Sequence, residues 1–435
     1  MPKDFFVSAR FRMAVPQGLQ GIDGGLIIPS GIAEPMLLRR DLDRRYPHLK
    51  RRLLDPQLYL AGLSGPKCRN ACVNLASYGW FGGPGVEEYD SKKLTQSQWR
   101  TKARARIASA WAGSVPTTVR DVARSVHEAI RTQVVVGCEA VILPSPLTVD
   151  PAADYSVESH WLDEGLATAA KLAPGLPRMA TIAISDTCLR GIDPWQNRLL
   201  DVVLDQVTAR QPEGAYLVLE LANEHGYYCG HTNTVASLLR VTRGLKVGGT
   251  NRVFVAFCGV AGLLALAAGA DSWSTGWYRG ERRLRLVDFE QPQGRAIPSF
   301  YSHNLASELH VQSDLDKVVA GGMLRDIADL TPASRGLLAA LGAGKRVQQV
   351  QEWQYRQSNV SAAIEHFLAT MARETAVLSP LSTAEQLDCA RRWLDRADKL
   401  ASKLYVLGPF NSRTELDHQA SWQTALQRFT KEEGL

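Results

Sequence analysis

ATIAISD at residues 180–186 and YLVLELAN at residues 216–223 are the stretches that decide the fold of this chain. Each is a short, continuous apolar run, and the segment between them has the alternation of polar and apolar residues that is typical of a surface helix. Strands that are apolar on both faces are typical of a parallel sheet whose two sides are covered. The two runs therefore predict one β-α-β unit.

The same pattern recurs along the first 303 residues, where eight such runs occur and most are followed by a helical pattern. Eight repeats of strand and helix favour a closed (β/α)8 barrel over an open doubly wound sheet. An alternative makes NLASY, the segment that ends at Tyr78, a strand and one of the eight an accessory element. The eight runs are Leu26–Gly31, Leu58–Gly62, Ala140–Ser145, Ala180–Asp186, Tyr216–Asn223, Val253–Gly259, Asp271–Trp277 and Ser299–His303.

The sequence predicts an α/β architecture in which residues 1–305 form a TIM-type barrel and residues 306–435 form a helical extension packed on it. A long loop, marked by glycines and a proline, is expected around residues 63–115. After His303 the strand pattern ends, and Ser382 with Glu385 resembles the capping box of a helix. Apolar residues then recur at helical spacing, at Leu387, Ala390, Trp393, Ala397, Leu400 and Leu404.

The amino-acid composition is that of a globular protein. Of the 435 residues 45% are hydrophobic and 22% are charged, which is typical of a globular chain rather than a disordered one. No continuous apolar run suits a membrane span, and the first residues lack the pattern of a secretory signal, so we expect a cytoplasmic protein that does not bind membranes. The net charge of +6 mildly favours an anionic partner.

Catalytic residues of barrels lie at the carboxyl ends of the strands, so polar residues there are the candidates. ELANEHGYYCGH at residues 220–231 places Glu220, Glu224 and His225 beyond a strand. These groups supply a general acid and base if burial separates their pKa values. They are also groups that bind divalent metals, and the sequence leaves a metal open while predicting no cofactor and no metal-ligand set. A structural alternative pairs the glutamates with arginines of a neighbouring loop.

Further candidates follow other strands. Asp186 ends the run Ala180–Asp186 and is either a catalytic base or, as we favour, the cap of the next helix. Arg279, Arg282 and Arg283 follow the run Asp271–Trp277 and are expected to bind phosphate or nucleic acid. The residues expected to line a substrate pocket are Asn223, Ser274, Trp277 and Tyr78.

The order of these motifs resembles the tRNA-guanine transglycosylase family, barrel enzymes that exchange a guanine for a modified base. ASYGWFGG at residues 76–83 lies where the family has an Asp-Ser-Gly-Gly-Phe motif. Residues 140–171 are similar to its strand, proline-rich loop and helix, and residues 253–276 are similar to its helix that leads into a Gly-Val-Asp strand. The resemblance spans residues 25–290 and implies a barrel that acts on nucleic acid.

The chain departs from that family at the positions that carry its chemistry. Ala76 stands where the motif has an aspartate, Ser274 stands where the nucleophilic aspartate is expected, and the zinc motif is missing. LANEHG at residues 221–226 replaces the Gly-Gly loop that contacts guanine. Base exchange needs a carboxylate nucleophile and an acid or base at the leaving purine. Either the chemistry has moved to Glu220, Glu224 and Asp186, or only the fold is shared, or the barrel binds without catalysing.

Three functions remain open. The first is an enzyme that acts on a nucleoside, nucleotide or nucleic acid, through base exchange or other N-glycosidic chemistry. The second is a non-catalytic subunit that binds nucleic acid or assembles with a protein partner or a second copy of itself. The third is a glycoside hydrolase, since Asn223-Glu224 at a strand end looks like the acid/base dipeptide of several barrel glycosidases; Glu220 or Asp186 would supply the second carboxylate.

Overall fold

The protein, in its computed structural model, contains eight parallel strands that form a nearly closed barrel. The structure describes residues 3–8, 24–31, 51–63, 67–81, 115–224, 226–290, 297–354 and 360–435, together with positions 42, 65, 95, 97, 98, 101 and 105. The barrel strands are β1 (Asp4–Ser8), β2 (Gly25–Pro29), β3 (Arg52–Asp55), β4 (Val141–Ile142), β5 (Arg178–Ser185), β6 (Gly214–Glu220), β7 (Arg252–Ala256) and β8 (Ser272–Thr275).

The strands follow the order β3-β2-β1-β8-β7-β6-β5-β4, and every neighbouring pair is parallel. The two ends of this sheet meet where the backbone N–H of Glu139, just before β4, donates to the carbonyl of Arg52 on β3 at 2.9 Å. The predicted (β/α)8 barrel with a C-terminal helical extension is therefore confirmed.

Two of the eight predicted runs do not supply a barrel strand: one is not a strand, and the other is a strand outside the barrel. Leu58–Leu60 form a 3₁₀ turn, and the strand lies just before it at β3. Pro56 has no N–H to extend the ladder and Gln57 has φ +48°, so the strand ends at Asp55. Ser299–His303 contains β9 (Ser299–Ser302), which pairs antiparallel with β10 (Ser307–His310) in a hairpin outside the barrel.

The prediction also missed β1, whose apolar core is only three residues long at Phe5–Val7. The alternative that made NLASY a strand was wrong, because Arg69–Leu75 form a helix. The remaining predicted runs each contain a barrel strand. Much of the predicted loop at 63–115, including residues 82–94, lies outside the described residues.

Helices follow β4, β5, β6 and β7 and cover the outside of the barrel, and further helices form the extension. None of the helices within the described ranges is both long and apolar enough to pass through a membrane. The helices are α1 (Arg69–Leu75), α2 (Val119–Val136), α3 (Ser156–Leu172), α4 (Arg198–Ala209), α5 (Thr232–Val247), α6 (Gly262–Ala267), α7 (Asp316–Ala320), α8 (Leu324–Ile327), α9 (Arg335–Gly342), α10 (Val360–Leu378), α11 (Thr383–Tyr405) and α12 (His418–Glu432).

Charged groups fill the amino end of the barrel. Arg51 contacts Asp4 at 2.9 Å and Glu139 at 2.6 Å, and Arg252 contacts Glu139 at 2.9 Å. The guanidinium carbons of both arginines lie within 5.4 Å of the Phe6 ring centroid, the first aromatic layer of the interior. Since this end is occupied by paired charges, a site on the barrel axis has to lie at the opposite, carboxyl end.

A segment after β8 covers part of that carboxyl end. We call residues 279–290 the covering segment. Its Leu284 is buried in the inner core of the barrel, and Leu286 and Phe289 pack beside it. Leu284 also forms a parallel β-bridge with Glu220, and its carbonyl accepts the N–H of Leu221 at 2.8 Å. The covering segment therefore continues the sheet beyond β6.

The extension is packed on the barrel as part of one core. The indole N–H of Trp273 on β8 donates to Thr375 Oγ1 on α10 at 2.9 Å. A Cβ at Gly262, the first residue of α6, would lie 2.1 Å from the Trp273 ring, so glycine is required for this close packing. The helix α12 packs on α5 of the barrel.

His418 anchors α12 to the barrel without a charge. Its Nε2 donates to the carbonyl of Ala306 at 3.0 Å, and its ring stacks on Tyr228 with centroids 4.0 Å apart. Its Nδ1 is buried without a hydrogen-bond partner. Burial lowers the pKa of His418 to about 4, although its bond to Ala306 works in the other direction.

We predict that His418 makes the fold sensitive to acid. The unfolded chain binds the proton with a pKa near 6.5 and the folded protein only near 4, so stability is complete above pH 6.5 and is lost as the pH falls toward 4. Between pH 7.5 and pH 5 the contribution of this residue falls by about 2 kcal/mol. Chemical denaturation measures the free energy of unfolding at both pH values. Between pH 7.5 and pH 5 this free energy should fall by about 2 kcal/mol less in His418→Gln than in the wild type. The exposed His160→Gln is the control, and equal losses in wild type and His418→Gln would contradict the prediction.

Candidate functional site

Glu220 is the last residue of β6 and its side chain is buried at the carboxyl end of the barrel. Its carboxylate accepts the hydroxyl of Ser185 at 2.6 Å and the backbone N–H of Leu286 at 3.4 Å. Burial raises the pKa of Glu220, and the nearby Asp186 raises it further, whereas the two hydrogen bonds and Arg285 lower it. A glutamate that is protonated more readily than usual suits a general acid.

Asp186 lies on the neighbouring strand end, where it holds the loop after β6. Its carboxylate accepts the backbone N–H and the side-chain amide of Asn223 at 3.2 and 3.1 Å, and Arg190 Nη1 lies 3.8 Å away. Ser185, not Asp186, caps the short turn Asp186–Cys188, because its hydroxyl accepts from Thr187 N. Asp186 therefore positions a loop and is available as a second carboxylate beside Glu220.

Glu224 closes the loop after β6, since its carboxylate accepts the N–H of Gly230 at 2.9 Å. His225 lies outside the described residues. His231 precedes α5, and burial, followed by the charge of Arg190, lowers its pKa. Among the residues that the structure describes, no three His, Cys, Asp or Glu side chains converge on a point where a metal ion could be held.

Three of the four arginines in the covering segment line one cleft between the barrel and the extension, which we call the arginine cleft. Its empty space, including the part that opens to solvent, is about 390 Å³. The walls come from the loops after β6 and β7, from the covering segment, from β10 and from α12. The lining residues are Leu221, Tyr227, Tyr228, Cys229, Cys258, Gly259, Val260, Arg279, Arg282, Arg283, Glu308 and Trp422.

Glu308 of β10 binds two of these arginines. Its carboxylate lies 2.6 Å from Arg279 Nε and accepts Arg282 Nη1 at 2.8 Å. Burial alone would raise the pKa of Glu308, but the charges of Arg282 and Arg279 lower it. The Arg282 guanidinium also lies 3.4 Å from the centroid of the Phe367 ring. The cleft is thus built around a buried, ionised carboxylate that is shared by two cations.

The extension also holds the barrel loop that forms the cleft wall. Glu415 accepts the backbone N–H groups of Tyr227 and Tyr228 at 2.8 and 3.3 Å. The Trp422 indole donates to the carbonyl of Cys229 at 2.6 Å. The Tyr227 ring then packs against Arg279, whose guanidinium carbon is 4.0 Å from its centroid. Neither the barrel nor the extension forms the site alone.

The covering segment lies between the carboxylates and the arginine cleft. The acidic and basic segments are adjacent, because Glu220 bridges Leu284 and Cys258 bridges Arg283. Their side chains point to different sides: Leu284 belongs to the inner core, whereas Arg283 lines the cleft. Glu220, Asp186 and Glu224 are not among the residues that line it.

The four predicted pocket residues have different surroundings. Asn223 is exposed and bound to Asp186 as described above. Ser274 on β8 is buried and pairs with Phe6, and its hydroxyl has no hydrogen-bond partner. Trp277 is buried just beyond β8, and Tyr78 stacks on Trp80 at 4.4 Å. None of these four lines the arginine cleft.

Sequence reasoning missed Asp55, the last residue of β3. Its carboxylate lies inside the barrel and accepts the hydroxyls of Tyr59 and Tyr216 at 2.5 and 2.8 Å and the N–H of Gln57 at 3.0 Å. Burial raises the pKa of Asp55 to about 6 against the effect of these hydrogen bonds. The sequence feature that could have indicated Asp55 is the Asp-Pro step after a short apolar run. Because Leu58–Gly62 was predicted to be the strand, Asp55 was placed before that strand, at the amino end of the barrel.

The site combines neighbouring carboxylates at the barrel mouth with a cleft lined by arginines beside it. Comparisons with models of protein families and with curated proteins found no match. The function is therefore inferred from the chemistry of these residues.

We predict that the Asp55 network contributes to stability through its hydrogen bonds. Asp55→Ala leaves two buried tyrosine hydroxyls and the Gln57 N–H without an acceptor, which should lower the free energy of unfolding by about 2–4 kcal/mol. Asp55→Asn keeps an acceptor and removes a buried charge, so its loss should be clearly smaller. Denaturant titration at pH 7.5 measures both, with Asp205→Ala on the exposed face of α4 as the control. Equal losses in the two Asp55 variants would show that the charge, not the hydrogen bonding, stabilises the barrel.

Proposed function

We propose that the protein acts on a nucleotide or nucleic acid through N-glycosidic chemistry, such as base exchange, with Glu220 as general acid and base and the arginine cleft as the phosphate site. One observation carries this proposal: the bridge between Glu220 and Leu284, which sets a buried carboxyl group directly beside a segment with arginines at 279, 282, 283 and 285. A protonatable group suits departure of the base, and a cluster of cations suits binding of the substrate's phosphate.

The chemistry assigns different roles to the two strand-end carboxylates. Departure of a base requires a proton at the leaving group and negative charge near the sugar carbon. Glu220, whose pKa is raised, suits the first role, and Asp186, which is next to its partner Ser185, suits the second. Glu220 is 3% exposed and pairs through its backbone with Leu284 of the covering segment.

The resemblance to tRNA-guanine transglycosylases supports the same class of substrate. Ser274, which stands at the position of the family's nucleophile, lies on β8 with a buried hydroxyl that has no hydrogen-bond partner. The carboxylates of the present site belong to β5 and β6 instead. The proposed reaction therefore uses the same end of the barrel with a different set of strands.

A non-catalytic nucleic-acid-binding or assembly subunit is the second candidate. It is favoured by the way Leu284, Leu286 and Phe289 cover the barrel mouth above Glu220. This function predicts binding that weakens with salt and releases no base. A protein partner or a second copy of the chain would fit it. A glycoside hydrolase has less support, because Glu224 is held by the Gly230 N–H of its own loop.

We predict that Glu220→Gln abolishes base release while leaving binding intact. Glutamine fits the same space and accepts a hydrogen bond from Ser185, but it has no proton to donate to a leaving base. Free bases released from nucleotide, RNA and DNA substrates are measured by mass spectrometry. The rate of release by Glu220→Gln should be at least about a hundredfold lower than that of the wild type. Exposed Glu352→Gln is the control. Unchanged release by Glu220→Gln would remove Glu220 from the mechanism, and binding without release by the wild type would favour the second candidate.

A further inference from the structure

We propose that the arginine cleft binds a phosphate monoester, that is, a phosphate joined to the rest of the ligand by a single ester bond. This inference rests on the proposed function and makes it narrower: the phosphate is that of a mononucleotide or of the 5′ end of a strand, not an internal phosphodiester. Four features of the cleft support it.

Buried N–H groups that lack partners lie in the cleft. The Arg283 side chain is 6% exposed; its Nε and Nη2 donate to Asp288, and its Nη1 has no hydrogen-bond partner. The Arg282 side chain is 10% exposed; its Nη1 donates to Glu308, and its Nε has no partner. Leaving a buried donor unpaired is unfavourable, so these groups indicate a ligand with oxygen acceptors.

The charges that line the cleft do not balance. Its lining contains three cations, at Arg279, Arg282 and Arg283, and one anion, Glu308. Outside the lining, Glu415 lies 4.0 Å from Arg279, and Asp288 is shared by Arg283 and Arg285. Four arginines therefore face three carboxylates. Excess positive charge in a buried place is costly unless an anion offsets it. A phosphate monoester, with up to two negative charges, supplies that offset.

The number of unpaired donors favours a terminal phosphate over a phosphate inside a chain. A phosphodiester inside a strand carries a sugar on both sides and presents only two free oxygens. Tyr227, Trp422 and Val260 form part of the walls of the cleft, which opens to solvent. A monoester presents three free oxygens and can enter with its phosphate first. It therefore fits the number of unpaired donors.

The aromatic side chains of the cleft are already in contact with other groups. Arg279 packs on the Tyr227 ring, and His418 stacks on the Tyr228 ring. Neither ring is free on both faces to hold a base, so recognition depends on the phosphate more than on the base. Different nucleoside monophosphates should consequently bind with similar affinity.

Calorimetric binding to the full-length protein tests the proposal with three probes. They are uridine 5′-monophosphate, a single-stranded RNA oligonucleotide with a 5′-phosphate, and the same oligonucleotide with a 5′-hydroxyl. We expect the first two to bind and the third to bind at least about tenfold more weakly, because charge-assisted bonds to the terminal oxygens are lost.

A second measurement locates the ligand in the unaltered protein. Cys229 and Cys258 line the cleft, whereas Cys389 lies on α11. Bound uridine monophosphate should slow maleimide labelling of Cys229 and Cys258, as followed by mass spectrometry, and leave Cys389 unchanged. Unchanged labelling of all three cysteines during saturating binding would place the ligand elsewhere and overturn the proposal.

Arg283→Gln should weaken monophosphate binding at least about tenfold, since it removes the unpaired Nη1. Arg391→Gln on α11 changes the net charge equally; Arg391 is 47% exposed and pairs with Asp388 at the surface, so binding should not change. If Arg283→Gln does not fold, the cysteine labelling of the wild type still decides the question.

The outcomes separate the two proposals. Equal binding of the 5′-phosphate and 5′-hydroxyl oligonucleotides overturns the monoester site but leaves the proposed nucleic-acid function standing. Binding of uridine 5′-monophosphate without binding of either oligonucleotide supports the monoester site and excludes nucleic acid as the substrate. No binding by any probe overturns both.

Discussion

The backbone pairing between the end of β6 and the covering segment is the constraint on which the site depends. The N–H of Leu221 donates to the carbonyl of Leu284, and the pairing fixes which side chains of the segment face the barrel. Because side chains alternate along an extended chain, Leu284 enters the inner core while Arg283 faces the cleft. A shift by one residue would bury Arg283 in the apolar interior and remove it from the cleft.

Glu308 makes the extension part of the site. It is 3% exposed and binds Arg279 and Arg282, both of which follow the last barrel strand. Two buried guanidinium groups without this carboxylate would repel each other in a place of low dielectric constant, where an unpaired charge costs about 3–5 kcal/mol. The barrel can therefore gather these arginines only with the hairpin β9–β10 docked on it. The extension and the barrel also share one continuous outer core, which keeps the hairpin in this position.

The sequence indicated those site residues that follow a recognisable strand, and it missed those whose position depends on contacts with distant parts of the chain. Glu220 and the arginines follow long apolar runs, and in a barrel such positions lie at the catalytic rim whatever the exact strand ends. Asp55 was missed because β3 has only four residues. The longer apolar run that follows it, Leu58–Gly62, was predicted to be the strand instead. Glu308, Glu415 and Trp422 carry no local signal, since their place depends on how distant helices dock. The side to which Arg283 points likewise depends on a long-range register.

The covering segment separates two environments that affect carboxyl groups in opposite ways. On the barrel side, burial dominates and raises the pKa of Glu220 and of Asp55. On the cleft side, Arg282 and Arg279 overcome the same burial and lower the pKa of Glu308. One side therefore favours carboxyl groups that hold and release protons, and the other favours a carboxylate that stays charged beside the arginines. The proposed reaction, which holds a phosphate while a leaving group is protonated, needs both environments close together and shielded from each other. The opposite orientation of Arg283 and Leu284 in the covering segment provides that separation.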